Sequence, residues 1–400
     1  MNIIKSFYKP KGDGLFVAID AGDFHFGAKD DEHLAKEYDE YFNKLIEENT
    51  DAIDLVVISG DLFHKEIKMS SSTMRLLAGC LTRTLNICER NNIPVRLLQG
   101  TLSHDRGQVE TLGLFLSGYK CFKTITTCTV EELQEGFKVL YIPEEYPKDM
   151  REFYKEYIYE APDKAYDFIF FHGTMDFQSF ASQVYESEMP MESAPVFKSE
   201  DLIRVCKGPV TGGHIHVACD YKEKVFYHGS FSRTSQGEPK SKGFMIYTYN
   251  PKNGTFEHDF EENLDAPVYK SFSVDDLYNG SAGNIEVFVK TLAATATDPA
   301  VSYRFVMSEK LSTEHPEIKK VVSDFAADAR NLNFQIKRAV DKVKTDETQE
   351  MEETEEEQNE LAFLADPSLD YSEKIQKFLE TKFLTKVELD KIRLIISGEN

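Results

Sequence analysis

Six of the ten histidines in this 400-residue chain lie at or just after the ends of short apolar runs, close to aspartate or glycine. They occur in five segments, which in chain order are AGDFHFG (21–27), SGDLFHKE (59–66), GTLSHD (100–105), FFHG (170–173) and GGHIH (212–216). In extended chain, side chains two positions apart point to the same face, so D-x-H and H-x-H each direct two ligands to one point. Imidazole and carboxylate groups arranged in this way suit a divalent cation, whereas a lone loop histidine more often bonds a backbone group.

The elements that must position these residues are predicted as strands and helices in alternation. Strand-like apolar runs occur at LFVAID (15–20), DLVVISG (54–60), VRLLQG (95–100), KVLYIP (138–143), DFIFFHG (167–173), PVTGGHIHV (209–217), VFYHGS (225–230) and GFMIYTY (243–249). Helical stripes between the first three consist of Leu34, Tyr38, Phe42, Leu45 and Ile46, and of Met74, Leu77, Leu81 and Leu85. This order predicts an α/β fold with a substantially parallel core. In open α/β sheets ligands bind beyond the carboxyl ends of the strands, which is where the histidines lie.

Length and composition predict a protein of two or three domains that does not span a membrane. The hydrophobic fraction is 41%, and no run of eighteen apolar residues is present. The first residues, MNIIKSFYKPKGDG, lack the apolar region of a signal peptide, so we expect a cytoplasmic protein. The six cysteines have neither CxxC nor zinc-ribbon spacing, which predicts reduced structural thiols.

The net charge of -23 argues at first sight against a nucleic-acid partner. Part of this charge is local, because residues 341–360 contain ten acidic residues and two lysines. Such a block is typical of a solvated, flexible linker. The rest of the chain is still acidic, so a phosphate-rich substrate would need positive charge from another source, such as bound metal ions.

The chain is predicted to have four parts, one of which is the acidic linker. Residues 1–265 contain all five histidine segments and form the main α/β domain. Residues 266–340 are predicted to form a small α+β domain with strands near NIEVFVKT (284–291) and SYRFVM (302–307), and a helix over 316–330. The acidic linker is 341–360, and residues 361–400 carry two apolar stripes typical of helices.

The five segments in this order resemble the series D-x-H, G-D-x-x, G-N-H-D, His and G-H-x-H of the calcineurin-like metallophosphoesterases. Two further features are similar to the SbcD nucleases of bacteria and phages, which are related to the Mre-eleven-type repair nucleases. These are the additional histidine in GDLFH and the run FYHGSFSRTSQGEPKSKGF (226–244) after the last motif. The resemblance implies a metallophosphoesterase β-sandwich core flanked by helices, a small capping and DNA-recognition domain, and a helical C-terminal tail.

The resemblance also implies a binuclear metal centre. Asp23, His25 and His216 would hold one metal, Asp61 would bridge both, and His172 and His214 would hold the second. Family members have asparagine before the histidine of the third motif, whereas this chain has two extra residues and Ser103 at that place. Either Ser103 or water is then expected at the second metal. Manganese suits this ligand set best, with magnesium, iron or zinc as alternatives.

The remaining site residues are also assigned by resemblance. His104 would protonate or stabilise the leaving group, Asp105 would fix its tautomer, and His64 would lie over the scissile phosphate. The alternative for His64 is a loop histidine that satisfies backbone groups. Three basic residues could contact DNA phosphates or could be ordinary solvated charges. They are Arg233, Lys240 and Lys242.

The combined prediction is a metal-dependent DNA exo- or endonuclease, the nuclease subunit of an SbcC/SbcD-like complex for double-strand-break repair and end processing. Its partners would be DNA and an SbcC-type (Rad-fifty-like) coiled-coil ATPase, which the C-terminal helices would dock by a helix-in-groove mode. A homodimer stays open. The alternatives are a small-molecule phosphodiesterase or phosphatase on the same scaffold, or a catalytically weakened phosphoesterase that serves as a binding scaffold.

Overall fold

A computed structural model describes residues 1–5, 14–28, 30–177, 195–234, 238, 240–278, 282–295, 301–328 and 332–336. These residues belong to one compact unit, Met1–Arg338. The predicted acidic linker (341–360) and helical docking segment (361–400) lie outside the described residues. The predicted division of the remainder at residues 265 and 266 stays a prediction.

The chain has a mixed α/β fold. Its strands are β1 (Ile3–Lys5), β2 (Phe16–Ala21), β3 (Leu55–Ile58), β4 (Val95–Leu98), β5 (Phe122–Ile125), β6 (Thr129–Gln134), β7 (Phe137–Ile142), β8 (Phe168–His172), β9 (Thr174–Met175), β10 (Val196–Phe197), β11 (Val210–Gly213), β12 (Cys219–Tyr221), β13 (Val225–Tyr227), β14 (Gly243–Asn250), β15 (Thr255–Glu262), β16 (Val268–Ser273), β17 (Val301–Met307) and β18 (Leu332–Ile336). All eight predicted strands are confirmed.

The helices alternate with these strands. They are α1 (Asp31–Glu37), α2 (Lys44–Glu48), α3 (Ser72–Arg90), α4 (Leu102–Asp105), α5 (Gln108–Phe115), α6 (Met150–Phe153), α7 (Ser199–Val205), α8 (Val274–Leu277), α9 (Ala282–Thr295), α10 (Glu309–Glu314) and α11 (Pro316–Asp328), with π-helical turns at Tyr38–Asn43 and Lys155–Tyr159. In the part of the chain that is described, no helix combines the length and apolarity needed to cross a bilayer.

Two large sheets face each other across a shared apolar core. One has the order β15-β14-β2-β3-β4-β5, with β2 to β5 parallel, and the other has the order β1-β6-β7-β8-β11-β13-β12. Side chains from both sheets form a single cluster that includes Val57, Tyr141, Phe168 and Tyr247. The predicted helical stripes cover the outer face of the first sheet, where Leu34, Phe42, Met74, Leu77 and Leu85 are buried. This packing fixes the carboxyl ends of the two parallel strand sets next to each other.

The small C-terminal part of the unit differs from the prediction in two ways. Its sheet, β16-β17-β18, is parallel and alternates with helices, so this part is α/β rather than α+β. The predicted strand NIEVFVKT is wrong, because these residues lie within helix α9. Ile285 and Val289 are buried, whereas Val287 between them is 65% exposed. A strand would place all three side chains on one face, so this pattern is helical. The predicted strand at SYRFVM is confirmed, and the predicted helix near 316 is observed as Pro316–Asp328.

Candidate metal centre

The five histidine segments converge where the carboxyl ends of β2, β3 and β4 face those of β8 and β11. Backbone hydrogen bonds join the first two loops, since the Asp23 amide donates to the Gly60 carbonyl (3.1 Å) and the His25 amide to the Asp61 carbonyl (3.0 Å). Across the sheets, the Nε2 atoms of His25 and His216 lie 2.9 Å apart. Residues separated by 191 positions therefore share one site.

The backbone of several of these residues adopts an unfavourable conformation. Asp23, His25, Asp61 and His214 have φ angles of 49°, 54°, 47° and 98°, in a region that residues other than glycine seldom occupy. Such angles cost free energy, and they persist only where the surrounding structure imposes them, which is common at functional sites. Gly100 is required for a different reason, because a Cβ there would lie 2.2 Å from the Asp61 amide nitrogen.

The first group of ligand atoms comes from Asp23, His25 and His216, whose donor atoms all lie within 4.8 Å of one another. His216 Nε2 is 3.9 Å from Asp23 Oδ1. The Asp23 carboxylate accepts a hydrogen bond from the backbone amide of His214 (3.0 Å). All three side chains are buried.

The second group of ligand atoms comes from His172, His214 and Glu144. Glu144 Oε2 lies 3.6 Å from His172 Nε2 and 3.4 Å from His214 Nδ1. His172 Nδ1 donates to the carbonyl oxygen of Ser59 (2.6 Å), so Nε2 carries the lone pair of the neutral ring and faces the group. A second hydrogen bond of this kind is what fixes the orientation of histidine ligands at metal sites.

Asp61 lies between the two groups. Its Oδ2 is 3.4 Å from His172 Nε2 and 4.0 Å from His25 Nε2, while Oδ1 accepts the Thr101 amide (2.6 Å). This position is the one expected of a carboxylate that contacts two cations.

The pKa values reflect the crowding of buried donors. Burial and the neighbouring His216 hold the pKa of His25 well below its usual range, and burial lowers the pKa of His216 to about 4. Burial opposes the charged form of Asp61, but the neighbouring histidines, His172 foremost, together outweigh it and hold the pKa of Asp61 well below its usual range. Burial likewise opposes the charged form of His172, but nearby carboxylates, Asp61 foremost, hold the pKa of His172 well above its usual range. His25 and His216 are therefore neutral near pH 7, as metal coordination by imidazole requires.

His64 and His104 border the first group. Their rings lie 5.5 and 4.8 Å from the ring of His25, and one nitrogen of each ring falls within 4.8 Å of the others. His104 Nδ1 makes a short hydrogen bond with the backbone carbonyl of His64. In the neutral His104 ring the proton is thus on Nδ1. The carbonyl of His64, rather than Asp105, makes this tautomer-fixing bond.

Asp105 has a different role from the one predicted. Its carboxylate accepts the backbone amides of Gly100 (2.7 Å), Asp61 (3.2 Å) and Phe63 (3.2 Å), and so it joins the second and third loops. Asp105 follows His104 in a helix, α4, where neighbouring side chains point in different directions.

Ser103 is not brought into the cluster. It is exposed on α4, whereas Thr101, two residues earlier, is buried. The Thr101 hydroxyl lies 3.2 Å from both Asp61 Oδ2 and Glu144 Oε2, and 3.4 Å from both His172 Nε2 and His214 Nδ1. The two extra residues of this loop form the start of α4 on the solvent side, so the residue directly after Gly100 faces the site.

Two of the three predicted DNA-contacting residues make internal contacts instead. The Arg233 guanidinium donates to four backbone carbonyls, those of Glu238, Lys240, Ala266 and Pro267. Lys242 is buried, and its Nζ lies 2.9 Å from Glu238 Oε2 and donates to the His216 carbonyl (2.8 Å). Lys240 is exposed. Lys242 thus supports the loop that carries His216, and Arg233 connects Glu238 and Lys240 to the chain at 266–267.

Glu144, Thr101 and Glu238 were missed at the level of sequence. Glu144 was detectable, because IPEEY (142–146) follows β7 and β7 is the parallel neighbour of β8. The same strand-end rule that selected His172 would have selected it. Thr101 and Glu238 carried no comparable signal.

Comparisons with known proteins add little to this geometry. No family model and no curated protein matches the chain. Among solved structures, TT1561 of Thermus thermophilus is similar at 11% identity and a TM-score of 0.33, over 62% of this chain and 99% of that one. Another crystal structure matches at 10% identity and a TM-score of 0.34, with the same coverage. At TM-scores this low, neither likeness supports an inference about function.

Proposed function

We propose that the protein is a metal-dependent phosphodiesterase that cuts DNA, and that it is an SbcD-like member of the calcineurin-like metallophosphoesterases. The observation that supports this proposal is the pair of mixed imidazole and carboxylate groups joined by Asp61, with His64 and His104 beside them. The donors fit two divalent cations, for which we propose manganese, because mixed nitrogen and oxygen ligands with no thiolate suit it. Such cations would polarise a phosphodiester and stabilise its leaving oxygen.

The residues around this pair of groups have distinct proposed roles. His104 holds a proton on Nδ1 against the His64 carbonyl, so its Nε2 is the atom that would carry a proton to the leaving oxygen. His64 is half-buried at the rim, where its ring can contact a bound phosphate. Asp105 positions the loop that carries Asp61, which keeps the two ligand groups at a fixed separation.

A small-molecule phosphodiesterase or phosphatase is a second candidate. The observation in its favour is that Arg233 and Lys242, two of the three cations proposed for DNA phosphates, are engaged with internal carbonyls and Glu238. The net charge of -23 also opposes binding to a polyanion unless cations at the centre compensate.

The partners remain part of the proposal. An SbcC-type ATPase would bind residues 361–400, whose sequence predicts helices, and a cytoplasmic location would follow from that complex. A chain that ends near residue 344 should keep metal binding and lose association with the ATPase. Co-purification of the shortened chain with its partner at full stoichiometry would contradict this docking.

The test of function compares linear duplex DNA with a small chromogenic phosphodiester, both with manganese. DNA cleavage that exceeds diester hydrolysis supports the nuclease, the reverse supports the second candidate, and activity on neither substrate supports a binding scaffold. Asp61→Asn is the matched variant, since it is nearly isosteric but cannot supply negative charge to two cations. We expect it to fold and to lose hydrolysis. A folded Asp61→Asn protein with wild-type activity would contradict the two-metal proposal.

A further inference from the structure

Glu144 belongs to the second group of ligand atoms, where the family resemblance implies an amide ligand that this chain lacks. It is buried, and it reaches the site from the loop after β7, where its backbone amide donates to the Gln99 carbonyl (3.1 Å) at the end of β4. This bond crosses from one large sheet to the other and fixes the loop. The carboxylate is oriented as well, because the Tyr146 hydroxyl makes a short hydrogen bond to Oε1 and leaves Oε2 to face the histidines.

The distances around Glu144 Oε2 match those between ligands of one cation. Ligand atoms bound about 2.0–2.2 Å from one cation lie roughly 2.8–3.6 Å from their neighbours, with the shorter distances in octahedral and the longer in tetrahedral arrangement. Glu144 Oε2 is 3.4 Å from His214 Nδ1 and 3.6 Å from His172 Nε2, and Asp61 Oδ2 is 3.4 Å from His172 Nε2. These three distances are compatible with ligands of one cation, and the donor atoms of Glu144, His172 and His214 all lie within 4.8 Å of one another.

The Thr101 hydroxyl cannot take the place of this carboxylate. It is neutral, and it has only one proton to share among the carboxylates of Asp61 and Glu144, both at 3.2 Å. A hydroxyl in this position orients the carboxylates, whereas an ionised carboxylate is a strong ligand for a hard divalent cation. Ser103 is exposed and contributes nothing to the group.

We propose that Glu144 is the ligand that replaces the missing amide at the second metal, with Thr101 as the residue that positions Glu144 and Asp61. This assignment rests on the two-metal centre of the proposed function. It also gives the centre three carboxylates, from Asp23, Asp61 and Glu144, where an amide ligand would leave two. The second site should then hold its cation more tightly than an amide-liganded site would.

The test measures manganese binding by the full-length chain without substrate, by calorimetry and by the electron paramagnetic resonance of coupled manganese pairs. We expect wild type to bind two ions. Glu144→Ala should weaken one of them by more than the roughly 10–100-fold that loss of an outer-shell partner costs, and should remove the pair signal. Glu144→Gln keeps an oxygen ligand without its charge and should fall between wild type and Glu144→Ala.

The matched control is Glu145→Gln. Glu145 is the adjacent carboxylate, but its Oε2 accepts the Cys128 amide (3.0 Å) and lies outside the ligand groups. The Glu145→Gln variant should therefore bind both manganese ions with unchanged affinity. A second manganese bound equally well by wild type and by folded Glu144→Ala would overturn the assignment and leave the proposed function standing. Two bound ions, of which the second depends on Glu144, in a protein that cuts neither DNA nor small diesters, would support the assignment and contradict the function.

Discussion

The buried ion pair between Lys242 and Glu238 allows a quantitative prediction about what holds the loop that carries His216. Lys242 is 1% exposed and Glu238 2% exposed, with Nζ and Oε2 2.9 Å apart. Burial opposes ionisation of Glu238, but Lys242 and His216 outweigh it and keep the pKa of Glu238 below its usual range. Because the Lys242 ammonium also donates to the His216 carbonyl (2.8 Å), this pair connects the fold to a metal ligand.

Lys242→Met removes the charge while nearly keeping the length of the side chain. Glu238 then remains as a buried carboxylate without its cation, a change that costs about 3–5 kcal/mol of the free energy of unfolding. The His216 carbonyl loses its charged donor, so the loop that carries the His216 ring is less well fixed. We expect manganese affinity at the first metal to fall by roughly 10–100-fold, the range for outer-shell partners of metal ligands.

Two measurements separate these effects. Urea denaturation with a chelator present gives the stability without a metal contribution, and calorimetric titration gives the manganese affinity. Adding Glu238→Gln to Lys242→Met removes the unpaired charge, so we expect stability to recover in large part while affinity stays low. Lys240→Met is the control, because Lys240 is exposed and its substitution should change stability by no more than about 0.5 kcal/mol.

Either of two results would refute this reasoning. If Lys242→Met loses less than about 1 kcal/mol, the pair is not a buried charge pair of the kind that the geometry indicates. If the double variant regains manganese affinity together with stability, the Lys242 ammonium does not hold the His216 loop and acts on the metal only through global stability.

Three further predictions concern single sites. Arg96 is fully buried in a bidentate pair with Glu131 (2.7 and 2.9 Å), but Lys123 also pairs with Glu131 (3.0 Å), so Arg96→Met should cost about 1.5–3 kcal/mol in urea denaturation, the range for lost hydrogen bonds to a charged group; a loss below about 1 kcal/mol would contradict this. Burial raises the pKa of Asp20 to about 7. The free energy of unfolding is therefore unaffected by Asp20 ionisation below about pH 4, and it falls as pH rises to 7, because the unfolded chain ionises Asp20 more readily than the folded protein does. Asp20→Asn should therefore stabilise the protein more at about pH 8 than at about pH 5, and equal gains would exclude this linkage. His104→Ala should lower turnover by roughly 10²-fold, the scale for a positioned acid, whereas exposed Ser103→Ala should leave both turnover and the manganese requirement unchanged.

The convergence of the histidine segments within each sheet could be predicted from sequence because it follows from two local rules. Apolar runs of about four to eight residues define strands, and parallel strands present their carboxyl ends at one edge. Within each sheet these rules bring His25 near Asp61, and His172 near His214 and His216. The meeting of the two sheet edges did not follow from them and was implied only by the family resemblance. The failure at NIEVFVKT has the same origin, since β-branched residues favour strands, and only the exposure of Val287 between buried Ile285 and Val289 shows the helical pattern.

Details below the level of the strand could not be predicted in the same way. Two inserted residues can extend a loop or start a helix, and only the fold decides that they begin α4 and direct Thr101 rather than Ser103 inward. A lysine in a polar run is expected to be solvated, yet Lys242 is buried because Glu238, four residues earlier, provides its counter-charge. Pairings of this kind depend on how the loop folds back onto the His216 segment.

The charges of the site indicate why its backbone is strained. Burial raises the pKa of Asp23 to about 7 and lowers the pKa of His25 well below its usual range, so without a cation the buried site disfavours the charged form of both side chains. Side chains that only stabilised one another would relax toward complementary pairs. Here two imidazole nitrogens lie 2.9 Å apart, and the backbone of Asp61 is held at a positive φ of 47°. Such an arrangement is unfavourable by itself and would become favourable with divalent cations between the donors, which is the physical basis for the proposed metal centre.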